Sequence, residues 1–146
     1  MLLFKKKIFS ATDEKRIIAA IEAAEKGTSG EIRVHADASA VEDPLQKAKE
    51  VFLQLRMHET AERNGILFYV NLKQHVFAVW GDEGIHRYLP DGFWDEISNT
   101  VISYLKQNKY GEGLEKGILL CGEKLKTYFP ILPGDKNELS NDITYS

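Results

Sequence analysis

The spacing of apolar and polar positions divides the chain into helical and extended stretches. Ile17, Ile18, Ile21 and Ala24 recur at helical spacing behind Ser10-Ala11-Thr12-Asp13, where a hydroxyl stands three residues before a carboxylate as in a capping box. This predicts a first helix over about 11–26, stopped by Lys26-Gly27-Thr28-Ser29-Gly30. Glu31-Ile32-Arg33-Val34-His35-Ala36 then reads as a strand. Asp43-Pro44 fits an N-cap with proline in the first helical position, and Leu45, Ala48, Val51, Phe52 and Leu55 mark the buried stripe of a second helix ending between 57 and 62. Two β-branched and aromatic runs, 65–70 and 75–80, flank Asn71-Leu72-Lys73-Gln74 and predict an antiparallel hairpin. Residues 85–90 read as a short helical turn ended by Pro90, with Asp91 capping a third helix whose apolar face holds Phe93, Trp94, Ile97, Val101, Ile102 and Leu105. After Asn108-Lys109-Tyr110-Gly111, a fourth helix carries Leu114, Ile118, Leu119, Cys121 and Leu125 as far as Phe129-Pro130.

These elements make one α/β domain over 10–130: a three-layer α/β/α sandwich, Rossmann-like, with a small mixed sheet and a central antiparallel hairpin. The polar stretch 131–146, with Pro133-Gly134, reads as a draped or mobile tail that can fold back on the domain. The helix between the first strand and the hairpin makes a crossover, so the first strand lies parallel to the first hairpin strand. Their starts, Ser29-Gly30-Glu31 and Arg63-Asn64-Gly65, then meet the hairpin's returning end, Gly81-Asp82-Glu83, at one edge of the sheet.

That convergence offers Glu31, Asn64, Asp82 and Glu83 as oxygen ligands for a hard divalent cation, and a tail folded back adds Glu138 and Asp142. The same residues also serve as plain structure, Asn64-Gly65 and Gly81-Asp82 as turns and Glu31 as a solvated edge charge. Asp37, Glu42 and Asp43 form a second acidic cluster at the far end of the first strand, where helix capping accounts for Asp43. His35, His58, His75 and His86 show no i, i+4 pair and read as surface or edge residues. Trp80 and Trp94 read as flanks of the core beside the proposed site.

Composition narrows the function classes. With 146 residues, 43% of them apolar, the chain is long enough to bury a core without disulfides. A net charge of −3 gives no ground for binding nucleic acid. Cys121, the single cysteine, reads as a buried structural thiol, and the chain suits a reducing compartment. At the start, Lys5-Lys6-Lys7 follows a short apolar patch rather than preceding a long one, so the order is not that of a signal peptide. No run approaches the ~20 apolar residues of a membrane span. The expectation is a soluble, cytoplasmic protein with Lys5–Lys7 as a solvated end.

The order Ser29-Gly30-Glu31-Ile32, Arg63-Asn64-Gly65-Ile66, Gly81-Asp82-Glu83-Gly84-Ile85 and Tyr110-Gly111-Glu112-Gly113-Leu114 resembles the TPM domain family over roughly residues 12–143. Asn137-Glu138-Leu139-Ser140-Asn141-Asp142 is similar to a segment many members carry, with Ser140 where they have proline. The resemblance implies a Rossmann-like α/β/α domain, calcium or another divalent ion such as magnesium, and accessory roles around membrane complexes with a protein partner. It also implies an alternative, a metal-dependent acid phosphatase of low specificity acting on phosphomonoesters. The residues themselves carry no Asp-x-Asp pair opening a strand, no Cys-x5-Arg loop, no Gly-x4-Gly-Lys-Ser/Thr loop and no paired-histidine motif. The leading expectation is therefore a calcium-binding accessory or interaction domain.

Overall fold

A computed structural model of the chain describes residues 8–146, so the Lys5–Lys7 run lies outside the described residues. Helix α1 spans Ala11–Glu25, and its N-cap Ser10 accepts a hydrogen bond from the Asp13 N–H at 3.1 Å, half of the capping box read from the sequence. Strand β1 is Glu31–Asp37. Helix α2, Pro44–Gln54, starts on Asp43, whose carboxylate accepts from the Gln46 N–H. It stops earlier than its apolar stripe predicts, because Arg56 takes a left-handed conformation with φ 56° and a separate 3₁₀ turn, Met57–Glu59, follows.

Strands β2, Gly65–Asn71, and β3, Val76–Gly81, form the hairpin. His75 belongs to the turn at φ 54°, and the Asn71 amide oxygen accepts from the Lys73 and Gln74 N–H groups, which folds the connection tightly. Helix α3, Glu83–His86, begins immediately after β3 because Asp82 caps it through the Glu83 N–H, so the helical turn comes before the position expected from Pro90. Helix α4 is Asp95–Leu105. Phe93 and Trp94 precede it in a turn, and its N-cap is Trp94 with no side-chain bond, in place of Asp91. Helix α5 runs Tyr110–Tyr128.

The four strands lie in the order β3-β2-β1-β4, where β4 is Thr144–Tyr145. β1 is parallel to β2 with Glu31 opposite Gly65, and β2 is antiparallel to β3 with Ile66 opposite Gly81. The alternation of strand side chains sends Ile32, Val34, Ile66 and Phe68 to one face, where α1, α4 and α5 cover them with Ile17, Ile21, Val101 and Ile118 among others. Leu67 on the other face packs with Val51 and Phe52 of α2 and with Met57. Layers of helix, sheet and helix result. Cys121 is buried in α5. Among the described residues no helix is long and apolar enough to cross a membrane.

The tail ends differently from the loose segment its composition predicts. Thr144 and Tyr145 pair in parallel with His35 and Ala36, and the Ser146 N–H donates to the Ala36 carbonyl at 2.9 Å. The Tyr145 ring lies 5.9 Å from that of Phe9, and its hydroxyl donates to Glu14. His35, expected at the surface, is fully buried beneath this strand with 0% exposure. Its Nδ1 is 2.7 Å from the Thr144 hydroxyl and its Nε2 is 2.7 Å from the Ser146 hydroxyl. Burial pushes the imidazole pKa down to about 4.

Candidate functional site

The three strand ends do meet. Glu31 and Asp82 flank Gly65 from its two neighbouring strands: the Glu31 N–H donates to the Asn64 carbonyl at 3.0 Å and the Asp82 N–H to the Gly65 carbonyl at 2.9 Å. The close approach of α3 to this rim depends on Gly84. A Cβ there would stand 2.1 Å from the Glu62 carbonyl oxygen and 2.6 Å from that of Arg63.

The six acidic and amide residues picked out by their chemistry divide into three places. Asp82 and Glu83 are held by Arg63: its Nε donates to Asp82 Oδ2 at 2.7 Å, its Nη2 to Asp82 Oδ1 at 2.8 Å and its Nη1 to Glu83 Oε1 at 3.1 Å. Both Asp82 oxygens are thereby committed to a cation that the chain itself supplies. Asp142 lies beside Arg33, whose Nε donates to its backbone carbonyl. Glu31, Asn64 and Glu138 are joined through backbone bonds, the Glu31 N–H to the Asn64 carbonyl and the Glu138 N–H to the Glu31 carboxylate, while Glu138 Oε2 accepts from the Ala61 N–H at 3.3 Å.

Glu31 is 3% exposed. Its Oε1 accepts the backbone N–H groups of Glu138 and Leu139 at 2.6 and 2.8 Å, which straps the returning tail across the start of β1. Its Oε2 is buried with no hydrogen-bond partner among the described residues, and so is the amide oxygen of Asn64, whose Nδ2 donates to the Ser29 carbonyl at 2.6 Å. Burial raises the Glu31 pKa, the two backbone bonds oppose that rise, and the negative charges of Glu138 and Asp135 add to it.

Two further carboxylates line the small cavity of about 130 Å³ beside Glu31, and neither was singled out by the sequence reading. Asp135 comes from the exposed tail. Glu25 ends α1 and accepts from the Ile32 N–H at 2.8 Å. Burial, reinforced by the charges of Glu31 and Glu22, lifts the Glu25 pKa to about 7. Its position at a helix C-terminus gives no sequence signal, since a glutamate there reads as solvated. No three histidine, cysteine or acidic side chains stand at metal-binding spacing among the described residues.

The second acidic cluster is spent on structure. Asp37 accepts from the Ser39 N–H and the Tyr69 hydroxyl, and Asp43 caps α2.

Next to the Glu31 cavity, and sharing Ser29 and Asp135 with it, runs a groove of about 510 Å³. Tyr88, Tyr128 and Leu132 line it, with Tyr88 61% and Leu132 59% exposed, and Ile131 is exposed beside them.

A small α/β/α sandwich with buried acidic and amide groups at the strand starts defines the class. The chain belongs to the TPM domain family, whose model matches residues 4–124. Its fold is similar to that of the BA42 protein from the psychrophilic bacterium Bizionia argentinensis, with 39% identity, a TM-score of 0.89 and coverage of 97% of each chain. The N-terminal domain of a protein from P. gingivalis shares the fold at 23% identity and a TM-score of 0.67, over 84% of this chain and 79% of that one. So does the N-terminal domain of the cg2496 protein from Corynebacterium glutamicum, at 14% identity and a TM-score of 0.60, over 93% and 80%. No curated protein matches the chain significantly.

Proposed function

We propose that this is a divalent-cation-binding interaction domain, in which calcium or magnesium is received by Glu31 and Asn64 beside Glu25, draws in Asp135 to complete a carboxylate set that does not stand at metal-binding spacing beforehand, and fixes the tail that forms one wall of the adjoining groove. The observation that carries the reading is the buried Glu31 oxygen without a partner. A desolvated carboxylate surrounded by other carboxylates is costly, and a hard cation with oxygen ligands offsets that cost. The second orphaned acceptor, on Asn64, is a neutral oxygen of the kind such ions take. Asp135 stands on an exposed stretch, where its Oδ2 accepts from the Leu132 N–H at 2.6 Å, a bond it would exchange to close on an ion that the fixed Glu31 and Asn64 receive first, while Glu138 stays anchored through its N–H to Glu31 and through its Oε2 to the Ala61 N–H. Because Leu132 and Asp135 also line the groove, ion binding organises the surface that carries Tyr88 and Tyr128. Catalysis is not part of this reading, since both oxygens of Asp82 are engaged by Arg63.

Calorimetric titration with calcium and magnesium, paired with thermal melts, tests the proposal. Saturable heat is expected, with a melting-temperature rise of roughly 5–10 °C at an ion concentration a hundredfold above Kd. Glu31→Gln keeps an amide oxygen for the two backbone N–H groups but removes the charge, and both responses should vanish in it. The Glu25 pKa of about 7 adds a pH signature: the ion must displace a proton, so affinity should weaken as pH falls through 7. A native chain that gives neither heat nor a melting shift with either ion ends the reading.

A further inference from the structure

On the other side of Arg63 lies a cavity of about 330 Å³ that the cation reading does not use. Its walls are Phe52 and Leu53 of α2 and Trp80 at the end of β3. Leu53 is largely exposed and Trp80 half-buried, so an apolar wall meets solvent here. Lys49, His58 and His86 also line the cavity, together with Arg63, Asp82 and Glu83.

The charged groups at this mouth are unevenly committed. Asp82 and Glu83 are tied to Arg63. Lys49 has no carboxylate within ion-pair distance among the described residues, and its ammonium sits 5.5 Å from the centre of the Trp80 ring. His58 Nδ1 is buried without a partner and its Nε2 is 3.8 Å from Glu59, so no hydrogen bond among the described residues fixes the ring in one orientation. His86 at the end of α3 is exposed and makes no ion pair among the described residues. The uncommitted polar groups are thus a lysine and two imidazoles, all able to donate to an anion, beside an aromatic and aliphatic wall.

We propose that this cavity binds a small planar organic anion, an aromatic carboxylate, with its ring against Trp80, Phe52 and Leu53 and its carboxylate on Lys49 and His58. Apolar walls with a few convergent polar groups are the general form of a small-molecule site, and the volume lies within the range of such pockets. The ammonium over the Trp80 ring sets a positive charge against the apolar wall, so a ligand whose flat ring lies on the neighbouring wall surface brings an adjacent carboxylate to that charge. The inference is independent of the cation site, since Glu31, Glu25 and Asp135 do not line this cavity.

The probe is 1-naphthoate, titrated into the ¹⁵N-labelled chain in the presence of a chelator and followed by amide and indole shifts, with 1-naphthalenemethanol as the neutral control. Saturable shifts are expected at Lys49, Leu53, the Trp80 indole and His86. Lys49→Met, at an exposed position that the fold does not need, should weaken naphthoate binding about tenfold and leave the alcohol unchanged, as expected for loss of one charge-assisted bond. Trp80→Leu should weaken both probes. The same titration of Glu31→Gln should match the native chain. Shifts that map instead to the Tyr88–Leu132 groove, equal binding of acid and alcohol, or a Lys49→Met chain that binds naphthoate as the native one does would each overturn the proposal.

Discussion

At the scale of single residues, partner choice decides what the carboxylates of this rim can do. Glu31 and Asp82 are both acidic, both buried and both at strand ends flanking Gly65, yet Asp82 is neutralised by Arg63 while Glu31 has two backbone N–H groups and no ion pair among the described residues. Their convergence was legible in the sequence because strand direction follows from the hairpin and the crossover. The division between them was not, because it depends on where the Arg63 side chain points, and residue 63 sits in a left-handed turn at φ 51°. His35 departs from the surface position its sequence context predicts for a related reason: the residues that cover it lie 109 and 111 positions further along the chain. Its lowered pKa has a measurable consequence. Above pH 6.5 neither the folded nor the unfolded chain protonates it. As pH falls from 6.5 towards 4, the unfolded chain takes up a proton that the folded one refuses, so stability is lost across that window, by about 3 kcal/mol once pH lies below both values. Denaturant melts of the native chain and His35→Gln between pH 7 and 4 measure this as a difference in slope. The comparison isolates His35, because Glu25, with its raised pKa, gains stability as pH falls through the overlapping range.

At the scale of elements, those with strong local signals emerged where expected. The Ser10 cap, the Asp43-Pro44 start and the β-branched runs of the hairpin act through neighbours a few residues apart. The boundaries that moved were set by backbone conformation and by a contact distant in sequence: α2 ends at the left-handed Arg56, and α3 seats on the backbone of Arg63. The start of α3 is fixed by Asp82 and by its close seat on the Arg63 backbone, where the Gly84 N–H donates to the Arg63 carbonyl at 2.9 Å. Gly84→Ala should therefore destabilise the fold by about 1–3 kcal/mol, since its methyl meets rigid backbone rather than a movable side chain. A lower midpoint in urea at unchanged slope checks it; an unchanged midpoint shows that α3 shifts without cost. Strand β4 escaped notice because two residues carry no periodicity, and only their pairing with β1 makes them a strand.

At the scale of the whole molecule, the returning tail ties both ends of β1, at Glu31 through two backbone bonds and at His35 through two hydroxyls. A chain ending at Gly134 loses the burial of Tyr145 and leaves both anchors bare. It should remain folded on its main core but melt about 2–4 kcal/mol less stable, and it should no longer respond to calcium or magnesium. Circular dichroism melts with and without ion test this, and an unaltered ion response would place the ligands elsewhere. The core beneath the helical face is otherwise built from residues well before the tail, which explains how the family match can span 4–124 while the tail adds its donors afterwards. Because the tail docks through its own backbone and side chains at a sheet margin, covalent attachment serves chiefly to hold it at high local concentration. A synthetic peptide of residues 135–146, added to the shortened chain, should restore the lost melting temperature in a dose-dependent way, turning the domain into a two-piece reporter whose reassembly strengthens when the ion is supplied.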